Sequence, residues 1–234
     1  MAEHTSVNDL ISIERSGDIA LICIDNPPVN ATGQVVRQGL QDAIEQLNAD
    51  GTAKVIAIYA AGRTFVAGAD IREFGKPLQP PALPDVFNHI EDSDIPVVAV
   101  MHGTALGGGL ELGLASHARV GIEGLRVGLP EINLGLLPGA GGTQRVPRLA
   151  GIPMALDMAL SGRTVPAQEA LEKGLIDRLE TGDPRDIALA AAQDVMNGTL
   201  TVRPTCSLNT PNDDKTLDDT AAMLRAKQAH LVAP

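Results

Sequence analysis

Aromatic residues and cysteines are scarce in this chain. Its 234 residues contain no Trp, three Phe, one Tyr and two Cys. Because 44% of the residues are nevertheless apolar, the core must be built from Ala, Val, Leu and Ile. Cys23 and Cys206 are too few for a disulfide framework or a cysteine-rich metal site. We therefore expect a reducing compartment and no metal.

Basic residues are also few in this chain. Twenty-nine acidic residues oppose 18 lysines and arginines, which gives a formal net charge of −11. This balance argues against general binding to nucleic acid or to anionic membranes. No apolar run approaches the ~18 residues of a membrane span, and the polar residues 1–9 are unlike a signal peptide. The sequence predicts a soluble, cytoplasmic protein.

Strand and helix patterns alternate along the chain. Apolar runs typical of strands cover 11–14, 19–25, 54–60, 96–101, 119–122 and 176–179. Helical periodicity covers 36–47, 110–115, 142–149, 153–160, 166–173 and 185–196. Asp70 is placed to cap a short helix, and the proline-rich residues 76–84 are expected to form a loop. This α/β alternation favours a mainly parallel sheet surrounded by helices.

The composition changes after Asn197. Residues 199–215 are polar and contain prolines, which is typical of a linker. Residues 217–231 have only a narrow apolar face, so we expect a helix that is loosely attached to the rest. We therefore divide the sequence into a domain over residues 1–198 and a linker with a C-terminal helix over residues 199–234.

Two glycine-rich segments, each with a glutamate, give the strongest functional signal. Residues 103–112 contain Glu111, and residues 128–145 contain Glu131. Gly107–Gly109 follow a predicted strand and open a predicted helix, where backbone amides favour negative charge. Tight packing of the helix on the strand would explain these glycines equally well. Two carboxyl groups beside exposed amides are the groups needed to move a proton next to a carbonyl.

The sequence around each candidate residue supports a functional role for some of them more strongly than for others. Glu111 lies among leucines and Glu131 follows Pro130 in an apolar loop, so burial should raise the pKa of both carboxyl groups. His102 is adjacent to a glycine-rich loop, but a structural role is favoured for it. Arg63 and Arg72 are either solvated or ligands for phosphate groups.

Taken together, three motifs resemble the enoyl-CoA hydratase/isomerase (crotonase) family. They are Phe65-Val-Ala-Gly-Ala-Asp-Ile71, Leu106-Gly-Gly-Gly-Leu-Glu-Leu112, and Leu129-Pro-Glu131 continued by Pro138-Gly-Ala-Gly-Gly-Thr-Gln-Arg145. They occur in the order of the family, and the 20-residue separation of Glu111 and Glu131 matches its hydratases. The resemblance covers about residues 10–197. It is greatest to the hydratase region at the amino end of multifunctional fatty-acid oxidation enzymes.

The resemblance implies a spiral of repeated ββα turns, an acyl-CoA thioester as substrate, and no cofactor. It implies that the amides of Ala69 and Gly108 form an oxyanion hole for an enolate. Glu111 would activate a water molecule, and Glu131 would give a proton to Cα of the substrate. The residues then expected to bind the CoA thioester are Arg63, Ala67, Ala69, Asp70, Ile71, Arg72 and Gly108.

The activity expected from the resemblance is hydration of 2-enoyl-CoA, with Δ3-Δ2 enoyl-CoA isomerisation as a further activity. Isomerisation alone, thioester hydrolysis and non-catalytic binding of acyl-CoA are the alternatives. The presence of both glutamates and both oxyanion-hole positions favours the hydratase. The multifunctional relatives continue into a 3-hydroxyacyl-CoA dehydrogenase, so we expect such a domain beyond Pro234. The short polar C-terminal region leaves a homotrimer open.

Overall fold

The computed structural model describes residues 3–211 and 214–228. The strands are β1 Glu3–Ser6, β2 Ile11–Ser16, β3 Ile19–Ile24, β4 Val55–Ala60, β5 Val97–Met101, β6 Thr104–Leu106, β7 Ala118–Ile122, β8 Arg126–Gly128, β9 Thr164–Pro166 and β10 Arg178–Glu180. The α-helices are α1 Gln34–Asp50, α2 Leu83–Glu91, α3 Gly108–Ala115, α4 Gly142–Ala150, α5 Ile152–Ser161, α6 Ala167–Glu172, α7 Pro184–Met196 and α8 Asp214–Gln228. Short 3₁₀ helices cover Ile71–Glu73, Pro130–Leu134 and Thr205–Ser207.

Two sheets run through the described part of the chain. The larger has seven strands in the order β1-β2-β3-β4-β5-β7-β10, and the smaller has the order β6-β8-β9. In the larger sheet, β1, β2 and β3 are antiparallel neighbours, and all pairs from β3 to β10 are parallel. After β4, Val66 pairs in parallel with Ala105 of β6. Successive segments thus add a strand to each sheet and then a helix, as the ββα spiral predicts.

Small aliphatic side chains fill both faces of the larger sheet. One face packs against α7, and it joins Leu21, Ala57, Val98 and Val120 to Ala188, Ala191 and Ala192. The other face packs against α1, α2 and α3, where Ile22, Ile58 and Ala99 meet Leu40, Phe87 and Leu112. Alanines allow the helices to approach the sheet closely, so the core needs few aromatic rings. No helix in residues 3–211 and 214–228 has the length and apolar character to cross a membrane.

Helix α2 begins inside the segment that was expected to be a loop. Pro84 lies in the first turn of α2, where the missing N–H of proline costs nothing. Val86, Phe87 and Ile90 then form a buried face. The prolines therefore mark the beginning of a helix, and the loop prediction for residues 76–84 holds only up to residue 82. The short strands β6, β8 and β9 were also not predicted, because three residues are too few to give a recognisable alternation.

Residues 199–208 do not behave as a free linker. Leu200 and Thr205 are buried, and the Thr205 hydroxyl donates a hydrogen bond to the Leu114 carbonyl at 2.9 Å. The N–H of Arg203 donates to the His117 carbonyl at 2.9 Å. These hydrogen bonds, together with the packing of Leu200 and Val202 against the core, hold the segment on the domain. Amino-acid composition alone does not indicate such contacts. The packed region extends past the expected domain boundary at residue 198.

Helix α8 covers Asp214–Gln228, three residues ahead of the predicted 217–231 at each end. It contacts α5, and Thr220 is buried. Leu231, which was expected on its apolar face, lies outside the described residues. The helix predicted for this part of the chain is therefore present, with its range shifted toward the amino end.

A buried ion pair links β7 to the segment before β10. Arg119 is fully buried, and its Nη2 atom lies 2.8 Å from Oδ2 of Asp177. Its Nη1 atom donates hydrogen bonds to the Ser116 carbonyl at 2.9 Å and to Thr205 Oγ1 at 3.3 Å. Burial lowers the pKa of Arg119 and the Asp177 carboxylate opposes this effect. The guanidinium therefore depends on Asp177 for compensation of its charge.

We expect Asp177→Asn to lower the free energy of unfolding by about 3–5 kcal/mol, because it leaves a buried guanidinium without its counter-ion. Asp18→Asn is the control, since Asp18 forms an exposed ion pair with Lys54 and should contribute less than about 1 kcal/mol. Urea denaturation followed by circular dichroism measures both variants. Similar losses for the two variants would contradict the importance of the buried pair.

Candidate active site

A pocket of about 380 Å³ opens where four segments of the chain meet. Its walls come from Arg37, from residues 67–71, 73–74 and 76–78, from residues 82–84, from Gly107, Gly108 and Glu111, and from several residues of 130–140. Much of the wall is apolar, and several of its large side chains are exposed, namely Ile71, Phe74, Leu78, Leu134, Leu136 and Leu137. Apolar surface of this kind in a concave site is typical of a ligand pocket.

Glu111 is held in its place by two backbone amides. It lies in the first turn of α3, where its side chain is 2% exposed. Its Oε1 atom accepts hydrogen bonds from the N–H groups of Ala140 and Gly142, both at 2.8 Å. Gly142 is the first residue of α4, so the carboxylate lies at the positive end of that helix. Burial raises the pKa of Glu111, whereas the two amides and the charge of Arg145 oppose this increase.

Glu131 has much weaker support for its negative charge. It lies in the 3₁₀ helix Pro130–Leu134 and lines the same pocket. Its Oε2 atom is buried and has no hydrogen-bond partner among the described residues. Burial raises the pKa of Glu131 to about 7, and the nearby charge of Glu111 contributes to this rise. At neutral pH, Glu131 therefore exists in both protonation states, and it can give or accept a proton.

The amides of Ala69 and Gly108 lie side by side at this pocket. A Cβ atom built at Gly108 would lie 3.6 Å from the Ala69 nitrogen, and one at Gly68 would lie 4.0 Å from the Gly108 nitrogen. Gly68 and Gly107 have φ angles of 118° and 51°, which only glycine adopts easily. Neither amide donates a hydrogen bond within the described ranges. Two backbone N–H groups without an acceptor among the described residues therefore lie close together at the pocket.

The glycine cluster serves both of the purposes that the sequence left open. A Cβ atom at Gly109 would lie 2.0 Å from the Val66 carbonyl oxygen, so this glycine allows α3 to pack against the neighbouring chain. A Cβ atom at Gly107 would lie 2.8 Å from Oε1 of Glu131, so this position keeps space for the carboxyl group. Close packing therefore explains Gly109, and the pocket explains Gly107.

Only some of the residues expected to bind the CoA thioester lie together at the pocket. Five of them line the pocket, namely Ala67, Ala69, Asp70, Ile71 and Gly108. Arg63 and Arg72 are exposed and do not line it. Nη2 of Arg72 lies 2.6 Å from Oδ2 of Asp70, and this ion pair lowers the pKa of Asp70. Asp70 also caps the 3₁₀ helix Ile71–Glu73, as the sequence predicts.

Lys76 is a pocket residue that sequence reasoning did not identify. It lines the wall close to Ile71 and Phe74. A lysine five residues after the first motif and just before a proline-rich segment was the available signal, but single lysines are usually solvated. His102 is outside the pocket, and its Nε2 atom donates to the Gly62 carbonyl at 3.1 Å. In the parts of the chain that are described, no three His, Cys, Asp or Glu side chains could hold a metal ion.

The chain is similar in sequence to proteins of one known family. Residues 14–204 match the family model described as enoyl-CoA hydratase/isomerase. The chain belongs to this family. The peroxisomal bifunctional enzyme of Homo sapiens is 40% identical over 234 residues, which cover 98% of this chain and 31% of that protein. The probable enoyl-CoA hydratase of Bacillus subtilis (strain 168) is 39% identical over 173 residues, which cover 71% of this chain and 67% of that protein.

A solved structure supports the same assignment. The enoyl-CoA hydratase from Geobacillus kaustophilus HTA426 superposes with a TM-score of 0.77 at 26% identity. The match covers 96% of this chain and 91% of that chain. The predicted crotonase-like α/β fold is therefore confirmed. The chain spans only 27–31% of the length of the bifunctional relatives that it matches.

The expected cytoplasmic location is wrong. It rested on a polar amino end and on a low cysteine content. The relatives named peroxisomal bifunctional enzyme, from fish and mammals, and a peroxisomal multifunctional protein of Arabidopsis thaliana contradict it. Low cysteine content does not distinguish one reducing compartment from another, so composition could not settle the location.

The coupling between the two glutamates leads to a direct prediction. In Glu111→Gln, we expect the pKa of Glu131 to fall, because the neutral amide removes a negative charge that disfavours ionisation of Glu131. Titration of ¹³C-labelled glutamate carboxyl groups by NMR measures this pKa. Glu123→Gln is the control, because Glu123 is exposed and does not line the pocket. An unchanged pKa in Glu111→Gln would show that the two carboxyl groups do not interact.

Proposed function

We propose that this chain is a 2-enoyl-CoA hydratase that adds water across the Cα=Cβ bond of an enoyl-CoA thioester in fatty-acid β-oxidation. The observation that carries the proposal is the meeting of two unlike carboxyl groups and two free amides in one apolar pocket. Membership of the enoyl-CoA hydratase/isomerase family supports the same reaction class. The proposed step needs no cofactor, because addition of water involves no net oxidation or reduction.

The amides of Ala69 and Gly108 would bind the thioester oxygen. When water adds at Cβ, negative charge moves through Cα to this oxygen and forms an enolate. Donors that are already aligned stabilise such a charge without reorganisation, and removal of one donor typically costs about 3–4 kcal/mol of transition-state stabilisation. Backbone amides suit this task because they belong to the main chain, whose turns at Gly68 and Gly107 have positive φ angles that favour glycine.

The two glutamates would divide the proton transfers between them. The oxygen of water forms the bond to Cβ, its proton passes to Glu111, and Glu131 supplies the proton that ends on Cα. Two N–H donors favour the ionised form of Glu111, as a base requires. The pKa of about 7 leaves part of Glu131 protonated at neutral pH, as an acid requires.

Isomerisation of Δ3-enoyl-CoA to Δ2-enoyl-CoA is the second activity that we propose for the same pocket. This reaction removes a proton at one carbon and returns a proton two carbons away, while the oxyanion hole holds the dienolate. Glu131 supports it, because its unpartnered Oε2 atom and its pKa of about 7 suit a group that both takes and gives a proton. Retention of Glu111 favours hydration over isomerisation alone or thioester hydrolysis.

We propose that residues 67–71 contact the thioester portion of CoA and that Lys76 is the cation nearest to its phosphates. Arg63 and Arg72 are weaker candidates, since Arg72 is already paired with Asp70. A fused 3-hydroxyacyl-CoA dehydrogenase domain is proposed from the resemblance and from the greater length of the bifunctional relatives. A homotrimer stays a proposal.

We expect Glu111→Gln and Glu131→Gln each to lower kcat/KM for hydration of crotonyl-CoA by at least about 100-fold, because Gln keeps the size of Glu but cannot exchange its proton. The loss of enoyl absorbance measures the reaction, and circular dichroism checks that each variant is folded. Glu123→Gln, an exposed substitution, should retain the activity of the unchanged protein. Activity near that of the unchanged protein in either pocket variant would remove that residue from the mechanism.

The pH dependence of hydration should follow Glu131. Because its pKa is raised to about 7, the acid form that the reaction needs is lost as the pH rises through neutrality. We therefore expect kcat/KM to decline above about pH 7, with a further decline at low pH when Glu111 is protonated. Initial rates from pH 5 to 9 with crotonyl-CoA test this profile. A constant rate between pH 6 and pH 9 would rule out Glu131 as the acid.

A further inference from the structure

Behind Glu111, and outside the pocket wall, lies a second buried ion pair. Arg145 of α4 and Glu91 at the end of α2 each have side chains that are 6% exposed. Nε and Nη2 of Arg145 both donate to Oε2 of Glu91, at 3.1 and 2.7 Å. Nη2 also donates to Oδ1 of Asn88 at 3.0 Å. The guanidinium is therefore fixed from the side of α2.

The third nitrogen of Arg145 reaches the backbone that holds Glu111. Nη1 donates to the carbonyl oxygen of Ala140 at 3.1 Å. The backbone N–H of Ala140 in turn donates to Oε1 of Glu111 at 2.8 Å. Gly141, next in the chain, has a φ angle of 103°, and a Cβ atom there would lie 2.0 Å from Nη1 of Arg145. The guanidinium thus occupies the space of a side chain at position 141.

We propose that Arg145 is a positioning residue for Glu111: it fixes the backbone of residues 140–142, whose N–H groups orient the carboxylate, and Glu91 holds Arg145 for this task. The inference rests on the proposed role of Glu111 as the base. Nothing in it requires Arg145 to touch the substrate, and neither Arg145 nor Glu91 lines the pocket.

The same network extends to residues that follow the last β-strand. The N–H of Cys206 donates to Oε1 of Glu91 at 2.8 Å, while Oε2 of Glu91 accepts from Arg145. The two oxygens of Glu91 therefore connect the segment 199–208 with α4. Four hydrogen bonds in sequence lead from Cys206 through Glu91, Arg145 and Ala140 to Glu111.

A purely structural ion pair would have different consequences. The charged groups that face Glu111 are Glu131, from the 3₁₀ helix Pro130–Leu134, and Arg145, from α4; Glu91 of α2 lies beyond Arg145. If the pair only stabilised the fold, its loss would lower stability and leave kcat of the folded protein unchanged, and the pKa of Glu111 would rise only through the loss of the positive charge of Arg145. If Arg145 positions Glu111, its loss must alter the chemistry of that carboxyl group.

The experiment uses Arg145→Met and the double variant Glu91→Gln/Arg145→Met. The double variant leaves no buried charge uncompensated, so it should stay folded even if the single variant does not. We expect kcat for crotonyl-CoA hydration to fall by up to about 100-fold, since small displacements of a catalytic group have effects of that size. KM should change little, and the low-pH limb of kcat/KM should move to higher pH.

Asp177→Asn is the matched control, because it breaks the other buried arginine pair and has no contact with residues 140–142. Under conditions in which circular dichroism shows all variants folded, it should leave kcat and the low-pH limb unchanged. Retention of normal kcat and of the unchanged pH profile in the folded double variant would overturn the proposal. Equal loss of kcat in Asp177→Asn would also overturn it.

A second readout separates this inference from the proposed function. NMR titration of the Glu111 carboxyl group does not require activity. We expect the pKa of Glu111 to be higher in the double variant than in the unchanged protein, because a favourable positive charge and the ordered amides are lost. An unchanged pKa would overturn the positioning role. Failure of the unchanged protein to hydrate crotonyl-CoA would instead refute the proposed function, and an unchanged pKa of Glu111 in this titration would still overturn the role of Arg145.

Discussion

The site depends on a close approach between two backbone segments, residues 66–69 and residues 106–109. The N–H of Leu106 donates to the Val66 carbonyl at 3.1 Å, and the space at Gly109 is too small for any side chain. This contact brings the free amides of Ala69 and Gly108 to the same place. It also sets the beginning of α3, and therefore the position of Glu111 one turn later. A side chain at Gly109 would separate the two segments and disperse all three groups.

The two carboxyl groups obtain different properties, although burial raises the pKa of both. Glu111 lies at the amino end of α4 and accepts two N–H donors, which stabilise its charge. Glu131 has one oxygen without any partner among the described residues, and its charge is opposed by Glu111. The difference comes from the backbone around each residue and not from the residue type. Two glutamates can in this way serve as base and acid in one pocket.

Much of the fold and the chemically important residues could be predicted from local sequence. The strand before the glycine cluster, helix α1 and the two glutamates all follow from short patterns within one segment. Helix α2 was missed because proline in a first turn looks like a loop signal. The docking of residues 199–208 and the Glu91–Arg145 pair could not be predicted, because they depend on hydrogen bonds between distant residues. Glu91 and Arg145, for example, are 54 positions apart.

The burial of Glu131 also has a thermodynamic consequence for the whole domain. Its pKa is about 7 in the folded state, compared with 4.5 for an unperturbed glutamate. Between these values the native protein holds a proton that the unfolded chain has released. By linkage, this proton favours the folded state fully below pH 4.5, and the advantage disappears as the pH rises through 7. The raised pKa that suits Glu131 for proton transfer therefore makes the native state less stable as the pH approaches neutrality.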